Sequence, residues 1–132
     1  MLEARGMTLV IEPCPVHENN MITFIPEAYY VMRRVGRPSV GIMADTYSMQ
    51  FGYERMSEIA AYGDAIRHLH FSAPNHRIPH EKDGYDYSDF FSALHEMHYA
   101  DTLTIEAFHD GDFEKQVNEA FKLLKNGLGE LY

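Results

Sequence analysis

The chain has 132 residues, of which 45% are hydrophobic and 23% are charged, so we expect residues 1–132 to form a single globular domain. Its 20 acidic and 11 basic residues give a formal charge of −9. That charge argues against nucleic-acid binding, which needs basic side chains to neutralise phosphates. The chain also lacks the roughly 18 to 20 consecutive apolar residues of a membrane span, and its single cysteine excludes an internal disulfide. We therefore expect a cytoplasmic protein that does not cross a membrane.

Apolar, β-rich runs alternate along the chain with segments whose apolar residues recur at helical spacing. The predicted elements are, in chain order, a strand at 8–11, a helix at 24–35 ended by Gly36, a strand at 40–44, a helix at 53–62 ended by Gly63, a strand at 66–71, a helix at 87–97 capped by Asp86, a strand at 102–105, and a helix from Asp112 to about Lys125 with Gly127 as its stop. Strands that alternate with helices predict a parallel sheet covered by helices. Four such units suit a small open α/β sheet or half of a (β/α)8 barrel, since a closed barrel takes about 250 residues.

Each of the four predicted strands ends in a side chain of a metal-binding type, and these are Glu12, Asp45, His70 and Glu106. Because functional groups of parallel α/β folds lie at the carboxyl ends of the strands, we expect one metal-centred site. Three carboxylates and an imidazole suit Mn²⁺ or Mg²⁺, with Co²⁺ or Zn²⁺ as alternatives. Such an ion could stabilise a developing enediolate while a carboxylate moves a proton. The alternative is four polar strand ends that bind no metal.

The same segments resemble the C-terminal half of the xylose isomerase-like barrel family, and most closely its ketose 3-epimerase and sugar isomerase members. The matching segments, in order, are Ile11-Glu12-Pro13 with Glu18, then Gly41 to Met49, then His68-Leu69-His70 with Asn75 to Pro79, and finally Thr104 to Phe108. The resemblance implies an α/β fold made of β/α units 5–8 of a (β/α)8 TIM barrel. It also implies a metal-dependent isomerase or epimerase that acts on a ketose, as a small sugar or sugar phosphate, through a cis-enediolate.

The resemblance implies roles for individual residues. Glu12, Asp45, His70 and Glu106 match the metal ligands of the family, and the two glutamates also match the catalytic pair that moves a proton at a carbon next to a carbonyl. The residues that match substrate-binding positions, where family members hold sugar hydroxyls, are Glu18 and Arg77.

Two positions qualify this comparison. Ser48 stands where the family usually has a histidine, and a serine can hydrogen-bond a substrate hydroxyl but cannot replace an imidazole as acid, base or ligand. His68 lies two residues before His70 and so points to the same face of its strand. It could line the substrate site, orient the metal-binding histidine, or be a packed core histidine. We expect five loop and helix histidines to face solvent, and these are His76, His80, His95, His98 and His109.

Family members carry four further β/α units before those matched here. A truncated fragment, a shortened gene product and one chain of a two-chain barrel remain open as explanations. Half of a barrel exposes two sheet edges, and exposed edges invite pairing, so we expect a homo-oligomer, at least a dimer, that completes the barrel or covers its edges.

Two other functions remain open. The first is a non-catalytic relic or metal- and sugar-binding module, which Ser48 and the short chain favour. The second is metal-assisted phosphodiester hydrolysis, since apurinic endonucleases share the fold. The charge of −9 counts against the second function.

Overall fold

The computed structural model describes residues 2–129, and its strands form one sheet. The strands are β1 (Leu9–Ile11), β2 (Val40–Asp45), β3 (Ile66–Phe71) and β4 (Thr102–Ile105). They lie in the order β1-β2-β3-β4, and each neighbouring pair is parallel. The helices are α1 (Ile25–Val35), α2 (Thr46–Phe51), α3 (Ser88–Glu96) and α4 (Phe113–Leu128), with 3-10 helices at Glu3–Arg5 and Met56–Ala65. The predicted parallel α/β architecture is confirmed.

The sheet has one covered face and one open face, because successive side chains of a strand alternate between its two sides. On the covered face, Ile42, Ala44, Leu69 and Phe71 are at most 2% exposed and belong to the main hydrophobic core together with helical residues. The open face carries the alternate residues of each strand. In a closed barrel this face would line the interior.

The residues of the open face are mostly polar near β3 and β4. The register pairs His68 with Thr102 and His70 with Thr104, and it places Asp45 beside His70. Polar side chains on this face are compatible with water, so the face has no need of an apolar cover.

The outer edge of the sheet, by contrast, carries an apolar groove of about 540 Å³ between β4 and α4. Its walls include Leu103, Ile105 and Phe121, and the Phe121 side chain is 55% exposed. Within residues 2–129, no strand pairs with the outer edge of β4 or of β1.

The helix predicted at 53–62 is wrong. The chain instead forms α2 directly after β2, and a 3-10 helix follows at Met56–Ala65. The reason is local, because the carboxylate that ends β2 caps α2 by accepting a hydrogen bond from the Tyr47 amide at 3.0 Å. The helical segment then breaks at Gly52 and at Tyr53, whose φ is +58°.

Two details of the helix ends also differ from the predictions. The N-cap of α3 is Tyr87, although Asp86 still contributes by accepting a hydrogen bond from the Ser88 amide at 2.9 Å. For α4, Asp112 is the N-cap as predicted, and its side chain accepts from the Lys115 amide at 3.1 Å. The helix passes through Gly127 and ends at Gly129.

Gly127 has a packing role that the sequence pattern did not indicate. A Cβ atom at this position would lie 2.3 Å from the ring of Phe91 in α3. The missing side chain therefore allows α4 to approach α3 closely.

Within residues 2–129, no helix is both long enough and apolar enough to cross a membrane. The expectation of a single domain over residues 1–132 stays a prediction, since residues 1 and 130–132 lie outside the described part.

We expect Gly127→Ala to destabilise the fold, although alanine favours a helix over glycine by about 1 kcal/mol. The added methyl group overpacks the contact with Phe91, which typically costs about 1–3 kcal/mol. Urea denaturation should show a net loss of unfolding free energy of about 1 kcal/mol or more. Gly111→Ala is the control, because its Cβ would meet only the Gln116 amide nitrogen at 3.8 Å. Equal stability of the two variants would contradict the close approach of α4 and α3.

Candidate metal centre

The four predicted ligands meet at the carboxyl edge of the sheet. Glu12 follows β1, Asp45 ends β2, His70 is the penultimate residue of β3, and Glu106 follows β4. One ligand atom from each residue can be chosen so that all four atoms lie within 4.8 Å of one another. The parallel register produces this convergence, because it aligns the carboxyl ends of neighbouring strands at one edge. That the group binds a metal stays a prediction.

His70 lies between the two glutamates. Its Nδ1 is 2.8 Å from Oε2 of Glu106 and 3.4 Å from Oε1 of Glu12. Burial lowers the pKa of His70, but the surrounding carboxylates raise it by more, so the pKa lies above its ordinary value of 6.5. Among the described residues Nδ1 has no partner in good hydrogen-bond geometry, although it is buried. A buried nitrogen that faces carboxylates from both sides fits a ligand set for a divalent cation.

Asp45 is the buried member of the group, with only 3% of its surface exposed. Its Oδ1 accepts hydrogen bonds from the Tyr47 amide at 3.0 Å and from the Ser72 hydroxyl at 3.1 Å. Its Oδ2 accepts from the Ser48 hydroxyl at 3.2 Å. Burial raises the pKa of Asp45, and the hydrogen bonds from Tyr47 and Ser72 together with nearby histidines lower it in part.

Ser72 is a site residue that the sequence pattern did not indicate. It is fully buried and lies just past the end of β3. The available signal was its position two residues after His70, which would place both side chains on the same face if the strand continued. A serine after a strand is too common for that spacing alone to identify it.

The two predicted substrate-binding residues with charged side chains lie in loops beside the group. Glu18 is 45% exposed and lies 3.6 Å from Nε2 of His17. Arg77 is 43% exposed, and its Nη1 lies 3.6 Å from Oδ2 of Asp110. The backbone of Arg77 also pairs in parallel with Phe108, so this loop is attached to the loop that follows Glu106.

The other two predicted substrate-binding residues make protein contacts. Ser48 is 5% exposed and hydrogen-bonded to Asp45. His68 Nδ1 lies 2.6 Å from the Thr102 hydroxyl, and its ring meets the His70 ring edge-on with centroids 5.0 Å apart. Burial, followed by the charge of His70, lowers the pKa of His68 below its ordinary value.

His76 does not face solvent freely, and that expectation is wrong. Its ring stacks on Tyr47 with centroids 4.3 Å apart and planes at 12°, and it also contacts Phe108 at 5.1 Å. A backbone φ of +56° turns the residue into this position. Such a conformation is uncommon outside glycine, so no spacing rule in the sequence pointed to it.

Comparison with known proteins agrees with this geometry. The family described as the xylose isomerase-like TIM barrel matches residues 1–127. The chain belongs to this family. A D-psicose 3-epimerase from Agrobacterium fabrum and a ketose 3-epimerase from Arthrobacter globiformis are each 28% identical to it, over 110 and 104 residues. In both cases the match covers 78% of this chain and 36% of the relative, so the chain spans about a third of the length of these proteins.

Solved structures share the fold. A D-psicose 3-epimerase crystallised with D-fructose superposes with a TM-score of 0.87 at 21% identity, over 96% of this chain and 51% of the other. An L-ribulose 3-epimerase gives 0.83 at 20% identity, over 98% and 50%. A 3-keto-D-glucoside 4-epimerase from E. coli gives 0.84 at 17% identity, over 94% and 48%. The predicted half of a TIM barrel is thereby confirmed as the fold.

We expect Mn²⁺ to stabilise the protein more at about pH 8 than at about pH 6. In the metal-free protein the folded-state pKa of His70 is raised above 6.5. The pairing of protonated His70 with the carboxylates therefore stabilises the fold fully at a pH below the pKa of His70 in the unfolded chain. That stabilisation is lost as the pH rises through the higher pKa of His70 in the folded protein. A metal ion binds only the neutral imidazole of His70, so at low pH it competes with the proton on that ring. At high pH the ring is already neutral, and the metal ion supplies the positive charge that the carboxylates have lost.

Melting curves with Mn²⁺ and with a chelator, at both pH values, measure this difference. His70→Gln should remove the pH dependence of the metal-induced shift in Tm, whereas His109→Gln, on an exposed residue, should retain it. A shift of the same size at both pH values in the unaltered protein would contradict the assignment of His70 as a ligand.

Proposed function

We propose that this chain is the C-terminal half of a metal-dependent sugar isomerase or epimerase, which acts on a ketose through a cis-enediolate. The observation that carries the proposal is the convergence of Glu12, Asp45, His70 and Glu106, from four successive strand ends, within 4.8 Å. The names of the relatives, which are ketose 3-epimerases, support the same substrate class. We propose Mn²⁺ or Mg²⁺ as the native ion, with Co²⁺ or Zn²⁺ as alternatives, because the set is rich in oxygen.

The two glutamates are the proposed catalytic residues. When bound, the divalent ion supplies Lewis-acid stabilisation of negative charge on the sugar oxygens. One glutamate removes the proton from the carbon next to the carbonyl, and the other returns a proton to the resulting cis-enediolate. Their positions on either side of His70 suit delivery from two directions.

We propose that the loop residues Glu18 and Arg77 hold hydroxyls of a small sugar or sugar phosphate. Both side chains are almost half exposed, and each lies within ion-pair distance of a neighbouring loop residue. His68 is proposed to act on the site indirectly. It contacts the Thr102 hydroxyl and packs against the ring of His70, so we propose that it orients this predicted metal ligand. The protein's place in the cytoplasm stays a prediction.

Replacement of either glutamate by glutamine should slow proton transfer strongly. We expect Glu12→Gln and Glu106→Gln to slow solvent deuterium exchange at the carbon next to the carbonyl of D-psicose or another ketose by about 10²–10⁴-fold. Proton NMR in D₂O with Mn²⁺ measures this rate, and calorimetry measures metal binding in parallel. Glu96→Gln, on the exposed surface of α3, is the matched control and should exchange normally.

The same experiment separates the proposal from a non-catalytic binding module, which the serine at position 48 favours. Metal binding without exchange for any ketose tested would support the binding module and contradict the enzyme. Absence of metal binding would contradict both.

We also propose that a second copy of the chain covers the open edges of the half-barrel. The apolar groove between β4 and α4 and the unpaired outer edges of β1 and β4 support this proposal. Two copies would supply the eight strands of a closed barrel.

Light scattering should therefore give a mass of at least twice that of one chain. We expect Phe121→Lys, in the groove, to lower this mass to that of a monomer, because a charge would have to be buried without a partner. Tyr53→Lys is the control, since Tyr53 is an aromatic residue that is 95% exposed outside the groove. A monomer that binds no apolar dye would contradict the proposed assembly.

A further inference from the structure

All buried polar or charged residues within 2–129 lie in one cluster. These residues are Asp45, Thr46, Ser48 and Ser72, and each is at most 5% exposed. A buried polar group is costly unless it is hydrogen-bonded, so a connected cluster of this kind is expected to have a specific role.

The cluster is connected through short hydrogen bonds. Thr46 links the ends of β2 and β3, because its hydroxyl donates to the Ser72 carbonyl at 2.7 Å and accepts from the Ser72 amide at 2.8 Å. This pair of bonds sets the position of the Ser72 backbone. The Ser72 hydroxyl in turn donates to Oδ1 of Asp45 at 3.1 Å.

The hydrogen bonds to Asp45 leave little of its carboxylate free. A carboxylate has about four acceptor sites, and three donors occupy this one, namely the Tyr47 amide and the hydroxyls of Ser48 and Ser72. The remaining acceptor capacity would be taken by a cation bound among the four ligand atoms, which lie within 4.8 Å of one another. The donors thus determine how the carboxylate is presented to a cation.

Ser48 makes its contact with Asp45 from a buried position. A hydroxyl has a single proton to donate, and the Ser48 proton is directed to Oδ2 of Asp45 at 3.2 Å. With 5% of its surface exposed, the side chain does not extend into the space where a sugar would bind. Its contacts therefore differ from those of a substrate-binding residue.

We propose that Ser48 and Ser72 are positioning residues, which orient the Asp45 carboxylate for the metal, and that Ser48 does not bind the sugar. This inference rests on the proposed function for the presence of a metal, but it concerns metal affinity and not turnover. It assigns to position 48 a role on the metal ligand in place of the substrate contact that the family resemblance implied.

Calorimetric titration of the full chain with Mn²⁺, in the absence of sugar, tests the proposal. We expect Ser48→Ala and Ser72→Ala each to weaken Mn²⁺ binding by about 10- to 100-fold, the usual effect of removing a group that orients a metal ligand. Ser48→Thr keeps the hydroxyl and should recover most of the affinity. Ser39→Ala is the matched control, because the exposed Ser39 hydroxyl also donates to a carboxylate, that of Glu3, at 3.3 Å.

A second readout separates positioning from general stability. Thermal melting of the metal-free variants should show a smaller effect than the loss of metal affinity, whereas a merely structural role would lower both together. If Ser72→Ala does not fold, Ser72→Cys provides a weaker donor in a similar volume, and we expect an intermediate affinity.

Two results would overturn the inference and leave the proposed function intact. One is normal Mn²⁺ affinity in both alanine variants. The other is normal Mn²⁺ affinity but weaker ketose binding in Ser48→Ala, which would return Ser48 to the substrate. Failure of the unaltered chain to bind Mn²⁺ would instead overturn the proposed function and this inference together.

Discussion

The burial of the Asp45 carboxylate is the constraint on which the rest of the site depends. An ionised group that is 3% exposed costs several kcal/mol unless hydrogen bonds and opposite charge compensate it. Here the compensation comes from an amide at the start of α2, a hydroxyl within α2, and a hydroxyl in the loop after β3. Two separate pieces of backbone, α2 and the loop after β3, must therefore be in place for this carboxylate to be buried.

The same interaction explains why α2 begins without a loop. The side chain that ends β2 is also the N-cap of the helix, so strand and helix share one residue. The next residue, Thr46, then binds both backbone groups of Ser72 and connects the end of β2 to that of β3. A ligand group built in this way is rigid on the Asp45 side. On the other side, the Glu106 side chain is 51% exposed and its strand lies at the edge of the sheet.

The sequence predicts the ligand group well because parallel pairing makes it a local property. Once four strands pair in chain order, the residues at their carboxyl ends meet without any knowledge of the loops. This argument identified Glu12, Asp45, His70 and Glu106. The predicted α1 and α4 are also confirmed, since each has a clear helical apolar pattern. Helix α1 ends at Gly36 as predicted, whereas α4 continues past the predicted stop at Gly127 and ends at Gly129.

The residues that the sequence did not identify depend on tertiary contacts. Ser72 belongs to the site through hydrogen bonds to Asp45 and Thr46, and His76 through an unusual backbone conformation and two aromatic contacts. The helix predicted at 53–62 failed for a similar reason, because a cap from Asp45 starts the helix seven residues earlier. In each case one residue from another element decides the outcome, and periodicity within a segment carries no information about it.

The predicted ligand group and the apolar surface that could bind a partner lie at different places on this half-barrel. All four predicted ligand side chains lie at or just after the carboxyl ends of β1 to β4, so this half-barrel contains the whole predicted ligand group. On β3 and β4 the open face carries histidines and threonines, which give little hydrophobic stabilisation to a partner. The apolar surface lies at the edge, between β4 and α4, where the exposed Phe121 ring is. A covering partner would therefore be held mainly at this edge, while the open face of β3 and β4 stays polar. The predicted metal site and the apolar edge are thus different surfaces, and a change in one need not disturb the other.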